Sequence, residues 1–270
     1  MLERLTSEKE RRRFYQLWTH LRGAYTASSL TFSQDRLVAM VGLFNIIQER
    51  TSLVSVVGMC KIVLLQDLIW YTVGEPHIPR SSIRTSTWSW VSFDGTVDSL
   101  YPGPSFDEQG SNLLLIQEVK RLNFVVEEWV AEVVHVHAGH RIGAKTWDEQ
   151  FPDSSLVLKG RARRVCIDVL DAMGMGARNG SVYGCHTMDI ACFSPPSDDK
   201  SELYALPIVL LHGCSVAPEV NYEYGLVLED VSSEASEEWC RVGSCRRRYE
   251  TGDNGLFFRS ALEEERKFII

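Results

Sequence analysis

Residues 52–73 read SLVSVVGMCKIVLLQDLIWYTV, a run so nearly continuous in apolar character that any fold must bury it. The medium that buries it is either lipid or protein. Its eleven Leu, Ile and Val residues favour membrane insertion by roughly 0.3 to 0.6 kcal/mol each, about 5 in all. Lys61 and Asp67 each oppose insertion by about 2.5 to 3.5 kcal/mol near the bilayer centre, which cancels the gain. They stand too far apart in the sequence to pair along one helix face. The run is therefore expected inside protein, as a helix over about 58–72, with no membrane attachment.

The preceding segment supplies a partner for it. Thr31 and Gln34 have capping-box spacing, and Ser33 is a competing N-cap. Leu37, Met40, Val41, Phe44 and Ile47 then recur at three- and four-residue steps, which predicts a helix over 34–49 with one apolar face. An earlier helix is predicted over 7–22. Ser7 and Glu10 match a capping box, Phe14, Leu17, Trp18 and Leu21 form its stripe, and Gly23 serves as C-cap. Arg11, Arg12 and Arg13 read as a solvated face balanced by Glu8 and Glu10.

From Gly74 the texture changes. Pro76, Pro79, a Ser/Thr-rich 81–87, Pro102 and Pro104 mark a long connection, with one ordered island at Trp88-Ser89-Trp90-Val91-Ser92-Phe93-Asp94-Gly95. An extended backbone would put both indoles on one side and Ser89 on the other, and Asp94-Gly95 signals a turn. The expected role is structural: the indoles fasten the connection to the core. A stacking platform for a sugar or base is the alternative.

The second half carries strand patterns at 131–137, 156–165, 203–212, 224–231, 239–245 and 267–270, separated by turn-prone segments at 153–155, 174–181 and 194–200. Three parts follow: a helical region 1–73, a linker 74–110 with the Trp-Ser-Trp island, and a β-rich body 111–270. The body is expected to be an antiparallel sheet, sandwich or barrel, and the fold class α+β.

Chemistry is sparsely signalled. A net charge of −8 argues against a general nucleic-acid binder. No Gly-x-Ser-x-Gly elbow, Walker loop or His-Glu-x-x-His occurs, and Gly174-Met175-Gly176-Ala177 reads as a turn. His135 and His137 share one strand face, with His140 close behind and Cys185-His186 farther on. A His-x-His pair can supply two metal ligands, but the spacing nominates no third or fourth. Partly buried, hydrogen-bonded histidines are the favoured reading, and a metal-dependent enzyme centred on His135 and His137 the alternative. The seven cysteines include no Cys-x-x-Cys, and charges occupy 1–13 where a signal peptide would be apolar. They are expected to be free thiols in a cytoplasmic protein. Cys240 and Cys245, at odd separation on one strand, face opposite sides and form no redox pair. No cofactor is implied.

Several of these residues resemble one family in order. Trp18 and Tyr25, Leu30-Thr31, Asp35-Arg36-Leu37 with Ala39 and Gly42, Leu68-Ile69-Trp70, and the island from Trp88 and Trp90 to Asp94-Gly95 are similar to the region following the HET domain in fungal heterokaryon-incompatibility proteins. Leu206-Pro207, Gly225-Leu226-Val227-Leu228, Arg241-Val242-Gly243 and Lys267-Phe268-Ile269-Ile270 resemble its closing strands. Ser28 stands where the family has Arg, Arg22 where it has an aliphatic residue, and Cys60 where it has Trp. The HET signatures themselves, LSYxWG and WIDxxCINQ, do not occur in these residues. The resemblance implies a trailing region without its effector domain. It would be a non-catalytic, partner-facing part of a nonself-recognition and cell-death protein, or else an inert fragment of one.

Overall fold

The structure is a computed structural model that describes residues 8–28, 35–51, 53–73, 87–93, 95–99, 124–137, 154–167, 178–182, 186–192, 202–213, 220–233, 237–250 and 265–270. Along α1 (Glu8–Ala27) the buried residues are Tyr15, Trp18, Arg22 and Thr26, one stripe at three- and four-residue steps. The predicted stripe is rotated: Leu17 is 66% exposed and Leu21 39%. The polar tips decide the face, because each of the four buried side chains hydrogen-bonds into the interior. Gly23 does not end the helix. It faces the Val97 carbonyl, and the chain stays helical to Ala27 before Ser28 bonds back to Tyr25.

The helix expected over 34–49 is present as α2 (Asp35–Thr51), with Met40 and Phe44 buried and Phe44 4.9 Å from the Trp18 ring. Its proposed caps at Thr31, Ser33 and Gln34 lie outside the described residues. The helix expected over 58–72 is not there. The segment instead makes β1 (Ser55–Val56), β2 (Met59–Cys60), a 3-10 turn (Lys61–Val63), the single turn α3 (Leu64–Asp67) and β3 (Trp70–Val73). Between β1 and β2, Val57 and Gly58 both have positive φ, 49° and 75°. A two-residue hairpin of this kind needs that conformation at both positions, and a β-branched residue adopts it only under restraint. The restraint comes from the island: Ser89 Oγ donates to the Val57 carbonyl and Trp90 Nε1 to that of Gly58. Tertiary bonds thus outweigh the helical look of the sequence. Among the described residues no helix is long and apolar enough to cross a membrane.

β3 pairs antiparallel with β4 (Thr96–Ser99), and α1 packs on β4. The β-rich half comprises β5 (Phe124–Trp129), β6 (Glu132–His137), β7 (Ser155–Gly160), β8 (Arg163–Ile167), β9 (Arg178–Val182), β10 (His186–Cys192), β11 (Leu203–Gly213), β12 (Val220–Asp230), β13 (Trp239–Glu250) and β14 (Arg266–Ile269). Six of these pair in the cycle β12-β13-β10-β9-β8-β11 and back to β12, a closed antiparallel ring. One edge of β11 serves β8 at its start and β5 at its end. β14, β7 and β6 form a separate three-stranded sheet. The fold is α+β. The stretch expected as one strand over 156–165 is two, divided at Arg161-Ala162, and β3, β4, β5, β9 and β10 had no sequence counterpart.

Pro207 sits inside β11 opposite Gly225, and the register shifts just beyond it. The missing proline N–H is accommodated by that irregularity. A Cβ on Gly225 would collide with the Leu206 carbonyl oxygen and lie 3.0 Å from its carbon and from Pro207 Cα. All three are backbone atoms of β11, which cannot yield as the end of a flexible side chain would. Gly225→Ala is predicted to cost about 3 kcal/mol or more, read as a lowered denaturation midpoint. A midpoint equal to wild type would show that the two strands lie farther apart.

Candidate functional site

The island's two indoles are fully buried, and so is Ser89. The backbone is not extended through it: Trp90–Ser92 is a 3-10 turn, capped by Ser89 Oγ accepting from Val91 N at 3.2 Å. Alternation therefore fails, and Ser89 points inward, spending its proton on Val57 O at 2.7 Å. This corrects the expectation that Ser89 faces away from the indoles' side. Trp90 Nε1 reaches Gly58 O at 2.8 Å, and Trp70 Nε1 reaches Trp88 O at 3.1 Å. Phe93 closes on the Trp70 ring, and Gly95, at φ 156°, would put any Cβ 2.6 Å from that Phe93 ring.

Arg241, from β13, is the centre of the arrangement. Its Nη2 donates to Trp70 O at 2.7 Å and Ser244 Oγ at 2.8 Å, and its Nη1 to Trp88 O at 3.2 Å. Ser244 Oγ also donates to Trp70 O at 2.6 Å. The guanidinium carbon lies 3.9 Å from the centre of the Trp70 ring, a cation–π contact. Burial, and next the charge of Arg22, pull the Arg241 pKa down. Carbonyl dipoles and the indole face favour the cation, and a guanidinium keeps its proton here.

A second buried cluster braces α1. Arg22 is ion-paired with Asp67, both fully buried. Asp67 also accepts from Trp18 Nε1 at 2.8 Å and Cys60 N at 3.3 Å. Tyr15 donates to Gln66 O at 3.0 Å and shares a 2.6 Å bond with Ser99 Oγ, while Thr26 Oγ1 bonds Val97 N at 3.0 Å. Burial raises the Asp67 pKa, opposed by the Arg22 charge and the bonds from Trp18 and Cys60. Burial, then Asp67, pushes the Cys60 thiol up to about 12. Arg22 Nε and Nη2 are buried without hydrogen-bond partners, so this ion pair carries a real desolvation cost. The two clusters make a clasp: carbonyls, indoles and charges are consumed in holding segments together.

Of the residues singled out in the sequence, Trp18, Trp70, Trp88, Trp90 and Gly95 fall in or beside these clusters, and Tyr25 packs half-buried on the same core. Asp35 and Arg36 begin α2. Leu30, Thr31 and Asp94 lie outside the described residues. His135 and His137 are elsewhere, exposed on β6 with rings stacked at 6.5 Å. This differs from the favoured expectation of partly buried histidines. Among the described residues no group of three or more His, Cys, Asp or Glu could hold a metal ion. Cys60, Cys240 and Cys245 are buried and in no disulfide. Arg241, Ser244, Asp67 and Tyr15 were missed by sequence reasoning. The available signal was a charge inside each apolar run, Arg241 in 239–245 and Asp67 in 52–73. Comparison with family models, curated proteins and solved structures returns no match to this chain.

Two outcomes follow from the clasp. Arg22→Met and Asp67→Asn should each destabilise by about 3–5 kcal/mol, since each strands a buried polar partner. The double variant should lose less than the sum by about 2 kcal/mol, measured by denaturant titration; strict additivity would mean the pair is uncoupled. The second outcome concerns alkali. The Cys60 thiol ionises near 9.0 when unfolded and about 12 when folded, so its stabilisation is intact below pH 9 and lost as pH climbs from 9 to 12. Stability should fall over that window, and Cys60→Ala should flatten the fall relative to wild type. An unchanged slope in the variant would put the thiol in contact with water.

Proposed function

We propose that this chain is a non-catalytic accessory region of a heterokaryon-incompatibility type protein, working in the cytoplasm against protein partners rather than nucleic acid. One observation supports the reading above the others: the four tryptophans that carry much of the resemblance are spent on internal packing. Trp70, Trp88 and Trp90 are 0% exposed and Trp18 is 2%, and each indole nitrogen of Trp18, Trp70 and Trp90 is bonded within the chain. Side chains so placed serve a shape, and a shared shape serves recognition. The net charge of −8 supports protein partners over nucleic acid. Cys60, a buried thiol in no disulfide, supports a reducing compartment.

The test is expression of residues 1–270 in a filamentous fungus, alone and beside a HET-bearing protein. Alone, the chain should leave growth unaffected, because it lacks the effector signatures. Beside the effector, it should change the strength of the cell-death response, and a Trp88→Ala chain, whose clasp is broken, should not. Robust death from the chain alone, or an effector response indifferent to it, would overturn the proposal.

A further inference from the structure

Three aromatic side chains from three separate strands converge on one guanidinium at the rim between the ring and the three-stranded sheet. Tyr204 comes from β11, Trp239 from β13 and Phe268 from β14. The Tyr204 and Trp239 rings meet edge to face at 5.2 Å and 88°, and Trp239 meets Phe268 at 5.1 Å and 70°. Rings set nearly at right angles form the walls of a box. Within it, the Arg266 guanidinium carbon lies 4.9 Å from the Trp239 centre, 5.2 Å from Tyr204 and 5.2 Å from Phe268. All three are inside the range at which a ring quadrupole attracts a cation, about 6 Å.

The backbone brings these side chains together. Arg266 and Phe268 alternate on β14, so both point to the inner side of their sheet. The residue opposite Arg266 on β7 is Gly160, which is buried against Leu206, whose Cδ1 would lie 2.9 Å from any Cβ there. Tyr204 is fixed by donating to Glu202 Oε2 at 2.8 Å. The other oxygen of Glu202 pairs with Arg164 at 2.7 Å, and Glu265 pairs with Lys159 at 2.9 Å. Among the described residues none of the ion pairs includes Arg266. Its head is held by the three ring faces and by a hydrogen bond to the Tyr204 hydroxyl; the ring faces are the part of that recognition open to a cation that offers no N–H.

We infer that Tyr204, Trp239 and Phe268 form a site for a quaternary or methylated ammonium group, which Arg266 occupies in the free chain as a tethered competitor. Arg266 is exposed and long, so it can swing out without moving β14, whose backbone pairs with β7 from Arg266 to Ile269. The ligand class includes a choline head group or a methylated lysine of a partner. The inference stands apart from the incompatibility reading, because it rests on this box alone.

The test titrates tetramethylammonium chloride into the whole chain, following tryptophan fluorescence, with sodium chloride at equal ionic strength as the blank. Arg266→Ala, which empties the box, should bind saturably and about tenfold more tightly than wild type, the factor a mostly occupied site imposes on a competitor. Arg266→Thr, which suits a strand better, repeats the test should the alanine chain fold poorly. Adding Tyr204→Ala to either variant removes a wall and should abolish the response. Responses in the Arg266 variants no greater than the sodium blank, or unchanged by Tyr204→Ala, would overturn the inference and leave Arg266 as a clasp on β14.

Discussion

A buried guanidinium joins the two halves of this protein. Arg241 belongs to the β ring, yet its guanidinium donates to the carbonyls of Trp70 and Trp88, in the N-terminal part, as well as to Ser244 of its own strand. Backbone carbonyls buried away from water must find donors, and the ends of β3 and of the island leave two of them facing β13. Arginine answers both at once with a rigid planar fork, and its flat face covers the Trp70 ring. Around that point the packing is sequential. The island holds the Val57-Gly58 hairpin in its positive-φ conformation, the hairpin places Cys60 N against Asp67, and Asp67 fixes Trp18 and Arg22 of α1. Contact therefore runs from the ring to the first helix through hydrogen bonds whose polar members are nearly all buried.

The sequence was most legible where one physical rule governed. The α2 face followed from the spacing of Met40 and Phe44, and the strands at 203–212 and 239–245 from their apolar density. It misled where polar groups were buried. Apolar spacing chose Leu17 and Leu21 for the inner face of α1, but Tyr15 and Arg22 find partners inside that outweigh them. The run at 52–73 looked helical because periodicity cannot register a hairpin imposed from thirty residues away by Ser89 and Trp90. The Trp-Ser-Trp island was recognised as a fastening, yet Ser89 was assigned to the wrong side, since a capped 3-10 turn breaks the alternation of a strand. Arg241 was invisible as the centre because nothing local in its neighbourhood names a partner so far along the chain.

The box at Arg266 and the clasp at Arg241 use the same chemistry to different ends. In both, a guanidinium lies against tryptophan. Arg241 is wholly enclosed and committed to carbonyls, so its contact is fixed by desolvation. Arg266 is exposed and keeps its head at the rim, against ring faces and the Tyr204 hydroxyl, so its contact is exchangeable. Burial separates a permanent joint from a replaceable one.

The distances along the chain that Arg241 spans have a kinetic meaning. It bonds across 153 and 171 positions, and Ser244 across 174. Contacts of that separation require large loops to close before they return any stabilisation, which slows folding. During synthesis the first helices, the hairpin and the island leave the ribosome long before β13 exists, with the Trp70 carbonyl and ring still lacking Arg241 and Ser244. At about 5–20 residues per second, that wait lasts on the order of ten seconds or more. A chain interrupted before residue 241 would end with the Trp70 and Trp88 carbonyls lacking the guanidinium that joins them to the ring.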